Sequence, residues 1–321
     1  MRAAVNRRYG PPEVVQITEV PTPAPADDEI LVKVSATTVT AADWRLRTAV
    51  VPSGFGPLVR LAFGVFKPRK HVLGMELAGE VTAIGKNVRR FAVGDRVFAA
   101  CGLGCHAEYR ALREDAAIAS KPANLTDGEA AALSFGGSAA LFFLRDKARL
   151  RAGERVLIVG ASGGVGSAAV QLAKHYGAVV TAVCSAGNAA MVKKLGADRV
   201  LDYAVDDFTR ANEKYDVIMD TVGSCSFATC APVMADGGRL LLVAADLSQL
   251  LGALLRPSRS GKRVMAGTAP QRAEDLRLLG ELAEAGKFRP FIDRSFPFER
   301  IADAHAYVET HRKKGNVVVT L

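Results

Sequence analysis

A chain of 321 residues, 49% of them hydrophobic, is long for a single domain and too apolar to be disordered, so two compact units are expected. Its 42 basic and 33 acidic residues leave a net charge of +9, but the cations are dispersed, with only short clusters such as "HRKK" (311–314) and "RPSRSGKR" (256–263). That dispersal fits a solvated surface better than a nucleic-acid groove, and no apolar run is long enough to span a bilayer. The basic N-terminus lacks the apolar stretch of a secretory signal. Five scattered cysteines (101, 105, 184, 225, 230) fit reduced thiols, so a cytoplasmic location is expected.

In chain order, "PPEVVQITEVPTPAPADDE" reads as a strand followed by a proline-fixed loop. Short β-like runs follow, "EILVKVSATTV", "ELAGEVTAIG", "GDRVFAA" and "HAEYRAL", broken by Gly and Pro, and they imply a β-rich or barrel-like unit over residues 1–121. From residue 122 the texture changes. "RVLIV" is a continuous apolar strand, "GGVGSAAVQLAKHYG" a helix, "AVVTAVC" a strand and "NAAMVKKLGA" a helix, and "RVLDY", "YDVIMD" and "GRLLLVA" add further strands. Strands alternating with short helices predict an α/β unit, a doubly wound parallel sheet with both faces covered, over 122–270. A helix at 271–286, a strand in "RPFIDRSFPF", a helix at 299–311 and a closing "NVVVTL" make up 271–321, which is expected to complete the first unit.

The glycines of "GASGGVG" (160–166) lie between a buried strand and a helix start, where unpaired N–H groups and a partial positive charge suit a pyrophosphate. "ASGGVG" matches the dinucleotide pattern G-x-G-x-x-G with Ala161 in place of the first glycine, and Gly160 just before it can supply the tight turn. Gly163 would allow close approach of the backbone, Gly166 would let the helix pack on the sheet, and Ser162, Gly164 and Val165 complete the candidate phosphate loop. An ordinary strand-to-helix turn is the bland alternative. The next strand ends at Ser185, where NAD enzymes commonly carry Asp or Glu, and no acid follows until Asp198. A carboxylate would repel a 2′-phosphate and a hydroxyl does not, so NADPH is expected, with Ser185, Asn188, Lys193 and Tyr203 as phosphate partners. Ser185 as a mere turn residue and Lys193 as a solvated one remain the alternative.

With these motifs in place, the chain resembles the zinc-independent, quinone oxidoreductase-like branch of the medium-chain dehydrogenase/reductases. "LGMELAGEVTAIGKNVRRFAVGDRVFA" (73–99), "CHAEYRAL", "GASGGVGSAAVQLAKHYGAVVTAVCS", "KLGADRVLDY" and "YDVIMDTVG" carry the resemblance over essentially the whole length. It implies a GroES-like β-rich catalytic domain with a Rossmann domain inserted, a cofactor in the cleft, and commonly a dimer or tetramer, so a homodimer is expected. Zinc-using relatives have cysteine and histidine where this chain has Thr40 and Met75, and a third ligand would fall near Phe135. Cys101, Cys105 and His106 lack a convincing fourth ligand, so no metal is expected.

By resemblance, Thr40, Asp43 and Trp44 of "TAADW" would lie at the nicotinamide pocket, although relatives usually have asparagine at the Thr40 position. Trp44 could equally be plain packing. Ala139 stands where relatives carry a threonine, with Ser138 adjacent. Val222, Val243 and Ala244 would end strands on the cofactor side, and Asn316 would approach the cofactor from the C-terminal segment. The leucine stripe in "LSQLLGALLRPSRSGKR" (247–263) reads as a cover for the substrate cleft or a subunit interface in preference to a membrane-touching segment. No Ser-His-Asp, Cys-His or paired-carboxylate constellation is evident. Without a Lewis acid, a quinone or a conjugated carbonyl accepts hydride more readily than a simple aldehyde. The expected activity is therefore NADPH-dependent quinone reduction, against reduction of enone or enal double bonds and against a weakly catalytic NADPH sensor or RNA-binding protein.

Overall fold

The computed structural model describes residues 1–51, 53–210, 212–255 and 261–321. The chain forms two compact units, Met1–Val51, Gly56–Phe135 and Gln271–Leu321 in the first, and Pro52–Phe55 with Gly136–Pro270 in the second. The first begins with β1 (Arg2–Asn6), β2 (Val15–Glu19), β3 (Glu29–Val39), helices α1 (Ala41–Thr48) and α2 (Gly56–Phe63), β4 (Glu76–Ile84), β5 (Arg96–Ala100), β6 (Tyr109–Arg113), β7 (Ala117–Ser120) and α3 (Asp127–Ala131). Helix α4 (Ser134–Leu141) leads through a π-helical segment, Phe142–Lys147, into the second unit. There follow β8 (Arg155–Val159), α5 (Gly164–His175), β9 (Val179–Cys184), α6 (Ala189–Lys194), β10 (Arg199–Asp202), β11 (Tyr215–Asp220), α7 (Phe227–Cys230), β12 (Met234–Leu242), α8 (Leu247–Leu255) and β13 (Arg263–Ala266). The chain then returns to the first unit with α9 (Ala273–Glu284), β14 (Ile292–Pro297), α10 (Ile301–Glu309) and β15 (Asn316–Thr320).

In the first unit, β1 and β2 pair antiparallel, and a seven-stranded sheet runs β14-β15-β3-β4-β5-β7 with β6 also on β3. The eleven-residue β3 occupies the same residues as the run "EILVKVSATTV", and its inward side chains Ile30, Val32 and Val34 meet Leu77, Val97, Leu112 and Ile118 in a dry core. Each such fully buried aliphatic side chain stabilises the fold by about 1.5–3 kcal/mol. The sequence texture changes at 121/122, whereas this unit continues through Phe135 because α3 packs on β3, β4 and β15.

The second unit is a six-stranded, wholly parallel sheet in the order β10-β9-β8-β11-β12-β13. Its order reverses between β8 and β11, and the crevice outside the carboxyl ends of those two strands is where doubly wound sheets bind ligands. Leu157, Val183, Ile218 and Leu240 fill its core. Of the leucine-arginine stretch, Leu247–Leu255 is helical and Arg263 opens β13, while 256–260 lie outside the described residues.

Candidate nucleotide site and a buried polar network

In the second unit, β8 delivers the chain to Gly160, whose φ of +78° is the left-handed conformation that glycine adopts at no steric cost. A Cβ there would lie 2.5 Å from Val222 Cγ1 and 2.6 Å from Thr221 Oγ1. The Thr221 hydroxyl donates to the Val159 carbonyl at 2.8 Å and ties the turn to the end of β11. Gly166 is required for a different reason, since its Cβ would sit 2.1 Å from the Gly160 carbonyl oxygen. Only glycine lets α5 approach the turn so closely. Gly163 caps α5 with ordinary angles (φ −79°, ψ 177°), and a Cβ there would meet nothing nearer than Gly160 O at 3.5 Å. The fold does not need glycine at 163, so its bare backbone is available to something else. Behind it the first N–H groups of a 12-residue helix, those of Gly164 and Val165 among them, have no partner within the helix. This cradle fits a dinucleotide pyrophosphate.

The sequence-derived partners fall into two groups. Asn188 Nδ2 donates to Ser162 Oγ at 3.1 Å, and Ser185 opens the same turn directly after β9. The exposed Tyr203 follows β10, and its N–H reaches the Cys184 carbonyl at 3.3 Å. Ser162, Ser185, Asn188 and Tyr203 therefore gather at the carboxyl ends of β8, β9 and β10. Lys193 does not. Its ammonium donates to the Asp198 carbonyl at 2.5 Å, and Asp198 is bonded to Val180 at the start of β9, the opposite edge of the sheet. The reading of Lys193 as a phosphate partner is corrected on that geometry: α6 runs back toward the amino ends of the strands and takes the lysine with it.

Val222, Val243 and Ala244 lie at the carboxyl ends of β11 and β12, organised by a residue the sequence reading passed over. Asp220 is fully buried and accepts from the N–H groups of Val222 (2.9 Å), Gly223 (3.0 Å) and Cys225 (2.6 Å), while its own carbonyl accepts from Val243 N at 3.0 Å. Its signal was a carboxylate closing the apolar run "YDVIM". Helix α4 crosses close to the start of α5, because a Cβ on Gly136 would lie 2.7 Å from Gly164 O. On α4, next to Ala139, the buried Ser138 hydroxyl has no partner among the described residues.

In the first unit, Thr40 is the N-cap of α1. Its hydroxyl donates to Asp43 Oδ2 (2.7 Å) and accepts from Asp43 N, while Thr40 N donates to the same carboxylate at 2.8 Å. Asp43 is fully buried and its Oδ1 accepts from Gly74 N at 2.8 Å, so every contact it makes is a positioning one. Trp44 packs edge-on against His311 with ring centroids 4.5 Å apart. Asn316 donates to Phe291 O from both its backbone and its side chain (2.8 and 3.1 Å).

Glu76, next to Met75 in the stretch 73–99, was not singled out by the sequence. It is fully buried; Oε1 accepts from the Thr38 hydroxyl at 2.5 Å and Oε2 from Phe135 N at 2.6 Å. Burial outweighs these donors and pushes its carboxyl up to about 7. Burial likewise brings the Lys313 ammonium down to about 8, against the opposing pull of Asp293 and Glu76. The Thr40 hydroxyl is committed to Asp43, Met75 and Phe135 offer no anionic or imidazole donor, and His106 Nε2 lies 2.9 Å from the Thr38 carbonyl. Cys101 N and Cys105 N do bond the adjacent carbonyls of Met75 and Gly74, but no group of three His, Cys, Asp or Glu able to hold a metal ion occurs among the described residues.

A β-rich unit and a doubly wound unit with an open glycine turn at its switch point define the plan of a two-domain, nucleotide-dependent dehydrogenase or reductase. Residues 26–148 match the alcohol dehydrogenase GroES-like domain, and residues 195–319 match the zinc-binding dehydrogenase family. A chloroplast envelope quinone oxidoreductase homolog of Arabidopsis thaliana is 30% identical, covering 94% of this chain and 92% of its own. An NADPH-dependent alkenal/one oxidoreductase from the same plant is 32% identical over 99% of this chain and 79% of that protein. The solved quinone oxidoreductase from Coxiella burnetii superposes with a TM-score of 0.87 at 28% identity, covering 100% of this chain and 99% of the other. This chain belongs to the medium-chain dehydrogenase/reductase family of oxidoreductases.

Proposed function

We propose that the protein is a zinc-independent, NADPH-dependent oxidoreductase that reduces quinones. The observation that carries this reading is the glycine turn, where Gly163 lies bare before the unpaired N–H groups of α5 at the switch point of the sheet. When bound, NADPH supplies a hydride from its nicotinamide ring. The chain's own residues do the rest. Gly163, Gly164 and Val165 hold the pyrophosphate, Asn188 fixes Ser162 beside it, and Ser185 leaves room for a 2′-phosphate where an acid would repel one. Asp220 holds the loop of Val222 and Gly223 against the crevice. Thr40, Asp43 and Trp44 stay assigned to the nicotinamide pocket on the resemblance alone, Asp43 as a positioning residue for Thr40 and Gly74.

An acceptor that delocalises charge suits a site with Thr40, Met75 and Phe135 at the positions where zinc ligands would fall, because the ring or conjugated system carries the developing charge itself. The likeness to an NADPH-dependent alkenal/one oxidoreductase favours a second reading, the reduction of conjugated enones and enals. A cytoplasmic location is the reading of five free thiols, and a homodimer that of the resemblance.

The test is nicotinamide oxidation by the purified protein with quinones, enones and a simple aldehyde, with and without a metal chelator. Chelator-insensitive turnover of quinones with NADPH is the expected result. Turnover of enones alone would promote the second reading, and binding of NADPH without any turnover would overturn both.

A further inference from the structure

Thirteen large hydrophobic residues stand exposed among the described residues, and six of them, Val50, Leu58, Leu61, Phe63, Val65 and Phe66, fall within seventeen consecutive positions. No residue of α2 is buried, although five of its eight side chains are Leu, Val, Ala or Phe. Phe66 is 93% exposed and Leu61 64%. A soluble surface rarely gathers its apolar side chains in this way unless they meet a partner.

Along the chain, the stretch that bears the patch carries one sign of charge. Between Asp43 and Glu76 the chain has no Asp or Glu, while Arg60, Lys67, Arg69 and Lys70 are all exposed. A tight turn folds the basic loop back onto the helix. Gly64 has a φ of +125°, a Cβ there would sit 1.9 Å from the Lys67 carbonyl, Arg69 N donates to Phe63 O at 2.7 Å, and the Tyr9 hydroxyl donates to Gly64 O at 2.7 Å. Helix, aromatic tip and cations therefore form one continuous surface.

We propose that residues 56–70 dock this protein on an anionic lipid surface, with Leu58, Leu61 and Phe66 entering the headgroup boundary and Arg60, Lys67, Arg69 and Lys70 meeting lipid phosphates. Charge selects this occupant. Two copies joined face to face through the patch would bring the same four cations against themselves, whereas anionic headgroups neutralise them. At eight residues α2 lies on a membrane and does not cross it, in keeping with the absence of any helix long and apolar enough to do so among the described residues.

The test uses the full chain and sedimentation with vesicles of phosphatidylcholine alone or with about a third phosphatidylglycerol, at low and high salt. Binding to the anionic vesicles should exceed binding to the neutral ones by about tenfold or more and fall as salt rises. The double substitution Leu61→Asp, Phe66→Asp should abolish binding, and Lys67→Glu, Arg69→Glu should reduce it to the neutral-vesicle level. All four side chains are exposed, so both variants should keep the wild-type melting temperature and NADPH affinity. Equal binding to both vesicle types, no binding, or variants that bind like the wild type would overturn the proposal. So would sedimentation velocity showing that Phe66→Asp splits a dimer while vesicles capture nothing, which would make the patch a self-interface.

Discussion

Two alanine substitutions within one turn, three residues apart, should have opposite consequences. At Gly166 an added Cβ would stand 2.1 Å from Gly160 O and 2.8 Å from Ala161 Cα, both backbone atoms that cannot swing aside. Relief requires the start of α5 to move away from β8. Overpacking of this kind costs about 1–3 kcal/mol, or about 3–10 °C in melting temperature for a unit of this size. At Gly163 the backbone angles are ordinary and the nearest atom is 3.5 Å away. Alanine there should leave the melting temperature unchanged or raise it by about 1–2 °C, because it restricts the unfolded chain. Its methyl group would occupy the space left for the pyrophosphate and hold it off the N–H groups of Gly164 and Val165. Losing one charge-assisted hydrogen bond costs about 1.5–3 kcal/mol, so NADPH affinity should fall about 10- to 100-fold. Thermal melts of the free protein and fluorescence titration with NADPH measure the two effects separately. If Gly163→Ala binds NADPH as tightly as the wild type, or melts well below it, the argument about the open turn is wrong.

Three further outcomes follow from the geometry. Ser185→Asp should lower NADPH affinity at least about tenfold while sparing NADH, as carboxylate–phosphate repulsion demands; titration with both cofactors checks it. Asp43→Ala would orphan three donors, Thr40 N, Thr40 Oγ1 and Gly74 N, and should cost about 3 kcal/mol or more, seen as a fall in melting temperature of about 6 °C or more. Glu76 titrates in the folded protein near 7 and in the unfolded chain near its ordinary value of 4.5, so the unfolded state releases its proton first. Its contribution should therefore fall as pH rises from about 4.5 to about 7, by about 3 kcal/mol at most, and Glu76→Gln should flatten that part of a stability-versus-pH curve.

Much of the second unit was legible because its signals are local. A buried strand, a glycine turn, a helix and another strand follow one another within thirty residues, and helical crossovers between strands imply parallel pairing. Ser162, Ser185 and Asn188 could be placed near one another for the same reason, since each follows a strand whose end the periodicity locates. Lys193 was misplaced because a helix can be read from sequence while the edge of the sheet to which its last turn returns cannot. Glu76 lies in the quoted stretch 73–99, but its partner Thr38 lies in a separate strand, and the two meet only through the pairing of β3 with β4, which sets Thr37 opposite Leu77. The segment 56–70 resembles an ordinary apolar helix and loop in composition, and only its exposure in the fold distinguishes it.

On the proposed function, the glycine turn of the second unit holds NADPH and Ser185 selects the phosphorylated form. The most direct measurement is equilibrium titration of the purified protein with NADPH and NADH, read by nicotinamide fluorescence. NADPH should bind about tenfold or more tighter than NADH. Equal affinity, or no binding of either, would contradict it.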